Sequence, residues 1–280
     1  MTSTTTPSLP RLPDEIHPHQ EEPDTHQQPN ENEPLLGRPG DAIQRPNAPM
    51  YRNLYLGLFP PFPLPFPPLT NLPSTGTGIL SQTGLLLLLL SILIPLLTHH
   101  PLLPLLVPHP ILQLTGLLVA TEAILLLQPT TKSLPLAKTR AAKFHAWLHL
   151  LSFLLFLSGT VIIETNKHAN KLPHFHSVHA YLGVATVSLL GLQYLFGFTI
   201  YVTPSVWGGE EKAKKVWKWH RYLGYGVLLM ILATTGSAAW TDYVKGQLGV
   251  SRVGVVLGVV LVAGGVFPRI QLGKLGLREY

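Results

Sequence analysis

Six apolar runs, separated by short polar connections, dominate this chain. They lie at roughly 78–97, 109–127, 142–163, 177–202, 218–239 and 250–268. At 1.5 Å per helical residue, runs of this length span a hydrocarbon core of about 30 Å. Inside a bilayer the backbone must satisfy its own hydrogen bonds, so an unbroken apolar run of this kind has to be helical. The expected fold class is therefore an all-α integral membrane protein with six transmembrane helices. Only 12% of residues are charged, about half the share of roughly 25% usual for soluble domains. The last run holds Gly254 and Gly258, a spacing that lets two helices approach closely.

The regions outside the runs differ from one another. Residues 1–77 hold 17 of the 27 prolines, with eight acids and four bases. Such a segment buries too little apolar surface to offset its chain entropy, so a disordered, Pro-rich tail is expected there. Its Phe-Pro and Leu-Pro repeats between Leu58 and Leu69 fit polyproline II. His17, His19 and His26 of the tail are read as solvated, and no apolar core follows Met1 to act as a cleaved signal. Residues 78–280 hold sixteen bases against six acids. This basic excess reads as membrane topology rather than nucleic-acid binding. Lys132, Lys138, Arg140 and Lys143 precede the third run; Lys212, Lys214, Lys215, Lys218 and Arg221 precede or open the fifth; Arg269, Lys274 and Arg278 follow the sixth. The alternate connections carry only Lys167, Lys171, Lys245 and Arg252. The positive-inside rule then puts both termini in the cytosol, around a six-helix domain at 78–268 and a short C-terminus at 269–280.

Four of the runs open on a histidine. His109 begins the second, and His145-Ala-Trp-Leu, His179-Ala-Tyr-Leu-Gly183 and His220-Arg-Tyr-Leu-Gly224 begin the next three. Histidine is costly inside a membrane and marks function there by default. Neighbouring spans run antiparallel, so His109 can meet His179 near the outer face, and His145 can meet His220 near the cytosol. Imidazole is an axial ligand of haem iron, and two pairs make two six-coordinate sites, one above the other. Gly183 and Gly224 stand four residues after their histidines, on the same helical face, and leave room for a flat macrocycle. The absence of cysteine removes thiolate ligation, iron–sulfur clusters and covalent c-type attachment. His149 lies one turn beyond His145 and competes with it as a ligand. His99, His100, His168, His174 and His176 fall in connections, where solvated roles, or an outer metal site built on His174, His176 and His179, are alternatives.

At these residues the chain resembles the cytochrome b561 family. The matching words are His109-Pro-Ile-Leu, Ala120-Thr-Glu-Ala-Ile-Leu, Lys143-Phe-His-Ala-Trp-Leu-His149, Ser177-Val-His-Ala-Tyr-Leu-Gly183, the later Gln193, and His220. The similarity covers about 78–268. It implies a central four-helix bundle holding two b-type haems, and often a homodimer. It also implies ascorbate as cytosolic donor, with monodehydroascorbate or chelated ferric iron as acceptor beyond the membrane. The Thr-Glu-Ala word looks most like the small transmembrane ferrireductase branch. The sequence departs from the family at Gln128-Pro129, where an arginine is common, and at Ala180, where serine is common.

Ascorbate is an anion at neutral pH, so a donor site needs cations beside the inner pair. Lys138, Arg140, Lys143, Lys218 and Arg221 are the candidates, with topology signalling and lipid contact as the plainer reading of the same charges. Glu122, near the cytosolic end of the second run, is either a proton acceptor or a buried hydrogen-bonding group. Two further readings stay open: a haem-free, histidine-lined metal or proton transporter, and a quinol-linked cytochrome b subunit. The choice between plasma membrane and endomembrane is open as well.

Overall fold

The computed structural model describes residues 76–98, 103–128, 135–270 and 275. The Pro-rich tail with its histidines, His99, His100 and Lys132 lie outside the described residues. Within them there are helices and no strand. The six long helices are α1 (Gly76–Thr98), α2 (Pro108–Leu127), α3 (Pro135–Ala169), α4 (Val178–Tyr201), α5 (Glu210–Ala238) and α6 (Arg252–Val266).

Local chemistry sets their starts. Pro108 sits in the first turn of α2, where its missing N–H costs no hydrogen bond. Ser177 caps α4 by accepting from the Ala180 N–H at 3.3 Å, and Ser251 caps α6 by accepting from the Gly254 N–H at 3.1 Å. Before α5, a short 3-10 turn (Pro204–Trp207) ends at Gly208 and Gly209, with φ of 78° and 108°. Only glycine holds such angles without strain, and the pair reverses the chain into α5. Glu210 and Glu211 then occupy the positive end of the α5 dipole.

Five helices are long and apolar enough to cross a membrane: all but α5. Helix α5 has ample length, 29 residues, but its first half carries Lys212, Lys214, Lys215, Lys218 and Arg221. Helices α3 and α5 each begin ten residues before their histidine, earlier than the apolar runs at 142 and 218 indicate. Hydropathy marks where a span becomes greasy, not where the helix begins.

The helices form three tight antiparallel pairs: α1 with α6, α2 with α3, and α4 with α5. The α1–α6 seam is the closest. A Cβ on Gly84 would lie 2.7 Å from the Gly258 carbonyl oxygen and the Val262 nitrogen. Gly258 packs on Leu88, and Gly254 packs on Ser91. The close approach read from the glycine spacing is therefore made, and its partner is α1. Ser81 Oγ donates to the Val262 carbonyl across the same seam. A buried core of Leu88, Leu117, Phe156, Leu190, Leu228 and Val262 ties this pair to the other four helices. The outward surface is apolar, with Trp147 70% and Tyr181 62% exposed. Polar groups turn inward, as a lipid-facing bundle requires.

Candidate functional site

The four histidines pair across the two inner hairpins. The His109 ring lies 6.2 Å from that of His179, with planes 84° apart. The His145 ring lies 6.5 Å from that of His220, with planes 79° apart. Each pair takes one ring from the α2–α3 hairpin and one from the α4–α5 hairpin. His109 and His179 are each the second residue of their helix, and the Ser177 cap fixes the entry of His179.

Each imidazole is held by the neighbouring helix of its own hairpin. His109 Nδ1–H donates to the Gly159 carbonyl, His145 Nδ1–H to the Ala123 carbonyl, and His179 Nδ1–H to the Thr234 carbonyl, all at 2.9 Å. A helical carbonyl has a second lone pair to offer, and these three sit beside small or short side chains that let a ring approach. His220 is held differently. The Gln193 amide nitrogen donates to the His220 carbonyl at 2.6 Å and faces its Nδ1 at 3.0 Å. Gly197 packs on the ring itself, since a Cβ there would lie 2.7 Å from His220 Cε1.

A single register governs all four. On every inner helix the residue that anchors the neighbour's histidine stands fourteen positions after that helix's own histidine: Ala123 after His109, Gly159 after His145, Gln193 after His179, Thr234 after His220. Fourteen residues make nearly four turns, so histidine and anchor share one face, about 21 Å apart. The two ring pairs are thus separated by about 21 Å along the bundle, within a hydrocarbon thickness of about 30 Å.

Two imidazoles that share one metal atom, with bonds of about 2.0–2.1 Å, bring their ring centres roughly 6.3 Å apart. Both pairs have that spacing. Nδ1–H bonds to carbonyls leave Nε2 as the nitrogen with a free lone pair at three of the rings. Among the described residues, no three His, Cys, Asp or Glu side chains gather as a metal site. His174, His176 and His179 accordingly form none. His174 instead pairs with Glu164, which also binds Lys167 at 2.7 Å, and His176 lies 3.7 Å from Asp242.

The remaining sequence candidates distribute as follows. His149 packs edge-on against His145 at 4.4 Å, on the same helix, while the ring crossing to α5 is that of His145. Gly183 is bordered only by Thr234 Cγ2, 3.8 Å from a Cβ placed there. Above Gly224 the nearest atom is the Gln193 amide nitrogen, at 3.0 Å from such a Cβ. Lys143 and Lys218 are exposed and each precede a paired histidine by two residues, on helices running in the same direction. Arg221 is half-buried beside His220. Lys138 and Arg140 fall on the first two turns of α3. Glu122 is buried and accepts from Gln82 of α1. The sequence pointed to Gln193 only as one of the residues that carry the family resemblance. Gly159, Ala123 and Thr234 carried no flag, because a carbonyl acceptor has no side-chain signature.

The fold and site define a class: a multi-helix membrane protein whose inner four helices face two pairs of histidines at either end. Residues 108–241, from the first residue of α2 to just beyond α5, match the family described as eukaryotic cytochrome b561. It is 34% identical over 94 residues to the lysosomal membrane ascorbate-dependent ferrireductase of Bos taurus, covering 33% of this chain and 34% of that protein. It is 31% identical over 109 residues to transmembrane ascorbate ferrireductase 1 of Arabidopsis thaliana, covering 39% and 43%. With transmembrane ascorbate ferrireductase 2 of the same plant it shares 29% over 153 residues, covering 49% and 65%. The chain thus spans about a third to two fifths of the length of the first two relatives.

Proposed function

We propose that this chain is an ascorbate-dependent transmembrane oxidoreductase of the ferrireductase type, holding two haem b groups between its inner helices. His109 and His179 would hold one group, and His145 and His220 the other. The observation that carries this reading is the pair of ring separations, 6.2 and 6.5 Å. Both match one iron between two imidazoles, and each ring is oriented by a bond from the adjacent helix. The names of the relatives supply ascorbate and ferric iron as the substrate classes. Haem held by two histidines would supply reversible one-electron chemistry there.

The protein's own residues do the rest. Nδ1–H bonds to the Gly159, Ala123 and Thr234 carbonyls fix ring orientation and tautomer, so the ligand face is set before loading. Phe196 and Gly197 pack against the His220 ring. Gly183, with only Thr234 Cγ2 near the place of a Cβ, would leave room for one group; Gly224 would make room for the Gln193 amide beside His220. On the side of His145 and His220, Lys138, Arg140, Lys143, Lys218 and Arg221 provide a positive rim that draws anionic ascorbate. By the distribution of Lys and Arg this side is cytosolic, α5 is the sixth span, and both termini face the cytosol. Monodehydroascorbate or a ferric chelate is reduced at the opposite side, near His109 and His179.

The purified chain is expected to carry two dithionite-reducible b-type haems. His220→Ala should remove one and leave the other largely intact. In proteoliposomes with ascorbate on one side and ferric chelate on the other, ferrous iron should form on the chelate side. A colourless folded preparation, or full haem in all four single His→Ala variants, refutes the proposal.

A further inference from the structure

We propose that Gln193 is the positioning residue that makes one of the two sites tunable: a rotatable side-chain amide meets Nδ1 of His220, where fixed backbone carbonyls meet Nδ1 of the other three histidines. The inference rests on the haem reading above. Its basis is the fourteen-residue register. At three of the four anchor positions a helix carbonyl takes the Nδ1 proton. At the fourth the register puts Gln193 opposite His220, and the contact is made by the amide rather than by the backbone.

The difference has chemical consequences. A helix carbonyl is one acceptor in one place, and no substitution removes it. A glutamine amide presents an acceptor oxygen and a donor nitrogen on a rotatable bond. In the geometry at hand the nitrogen faces Nδ1 at 3.0 Å while bonding the His220 carbonyl at 2.6 Å. A donor facing Nδ1 favours the tautomer with its proton on Nε2, which cannot ligate a metal. Ligation through Nε2 needs the proton on Nδ1, and hence the amide turned so that its oxygen accepts it, which gives up the amide's bond to the His220 carbonyl. Loading of this site is therefore coupled to the orientation of one side chain. Space for the amide is built in: Gly224 leaves its own side open toward Gln193 Nε2, and Gly197 lies against the ring. The axial bond to His220 then depends on how strongly position 193 accepts from Nδ1. A stronger acceptor gives the imidazole more anionic character, which stabilises ferric iron and lowers the potential; a lost acceptor does the reverse.

The test uses the full chain in detergent or nanodiscs, comparing wild type, Gln193→Glu and Gln193→Leu, with His220→Ala to identify which redox component belongs to His220. Haem content is measured by pyridine haemochrome, midpoint potentials by optical titration, and axial ligation by low-temperature electron paramagnetic resonance of the ferric protein. The expected result is a lower potential for that component in Gln193→Glu and a higher one in Gln193→Leu. Each shift should approach tenfold in the reduction equilibrium, about 59 mV for one electron, with an altered low-spin signal at that site and the other component unmoved. A loss of that haem alone in Gln193→Leu, with retention in Gln193→Glu, also supports the assignment. Unchanged potentials in both variants, or equal shifts in both components, overturn it. A wild-type chain without two haems defeats the functional reading itself, an outcome visible before either variant is made.

Discussion

At the scale of single residues, the architecture relies on atoms that are missing. Gly197 leaves the His220 ring its place, and a Cβ would reach to 2.7 Å of Cε1. Such a contact forces the ring to move, and the ring is a proposed ligand. Gly197→Ala is therefore expected to disturb the His220 site selectively, seen as a shifted or weakened reduced band with the other component preserved. Gly226→Ala, where nothing lies within 4 Å, is the matched control and should leave the spectrum unchanged. The histidines themselves were legible from sequence, because an imidazole at the head of an apolar run has few other uses. Their anchors were not. Alanine, glycine and threonine at 123, 159 and 234 look like ordinary span residues until the neighbouring helix is in place.

At the scale of elements, the α1–α6 pair is a scaffold rather than part of the site. Its seam depends on backbone contact through Gly84, Gly258 and Gly265. Lipid chains compete with apolar side chains on equal terms, so packing this tight has to come from small residues rather than from water exclusion. Gly84→Ala would press a methyl against the backbone of α6, which cannot rotate away, and overpacking of this kind costs about 1–3 kcal/mol. A lower thermal midpoint in detergent is expected, with the haem spectrum intact in the protein that remains folded. Gly264→Ala, whose surroundings are open, should leave the midpoint where it is. The Gly254 and Gly258 spacing announced a close contact, and the contact is there. The partner helix was not legible, since Gly84 and Ser91 lie in a leucine-rich run without a comparable pattern.

At the scale of the whole molecule, the two inner hairpins repeat one plan. Each crosses the bundle with a histidine on both helices, and each fastens its rings through the fourteen-residue register. The four helices therefore hold two similar sites about 21 Å apart by helical rise. The cationic starts of α3 and α5 share one end. Lys143 and Lys218 stand at matching positions before their paired histidines, so that end carries a concentrated positive potential. The proposed arrangement requires an even number of crossings with α5 among them. Reporter tags at the two ends should then be cleaved together, from the cytosolic side only, in sealed vesicles of known orientation. Tags on opposite faces would remove α5 from the membrane and with it the pairing of His145 and His220 across the bundle.

The sequence alone determined the helical class and the rough limits of the apolar runs, and it singled out four histidines, because each follows from one-dimensional physics: apolar length against bilayer thickness, and the cost of a polar ring in hydrocarbon. It also placed the cations, though not the helical turns that carry them, since α3 and α5 start well before their apolar stretches. Tertiary structure alone decided that α1 pairs with α6, that His145 rather than His149 crosses to α5, and that three rings lean on carbonyls while the fourth leans on Gln193. These are relations between backbones on different helices. A backbone carbonyl is the same in every residue, so which one meets an imidazole is fixed only when the helices pack.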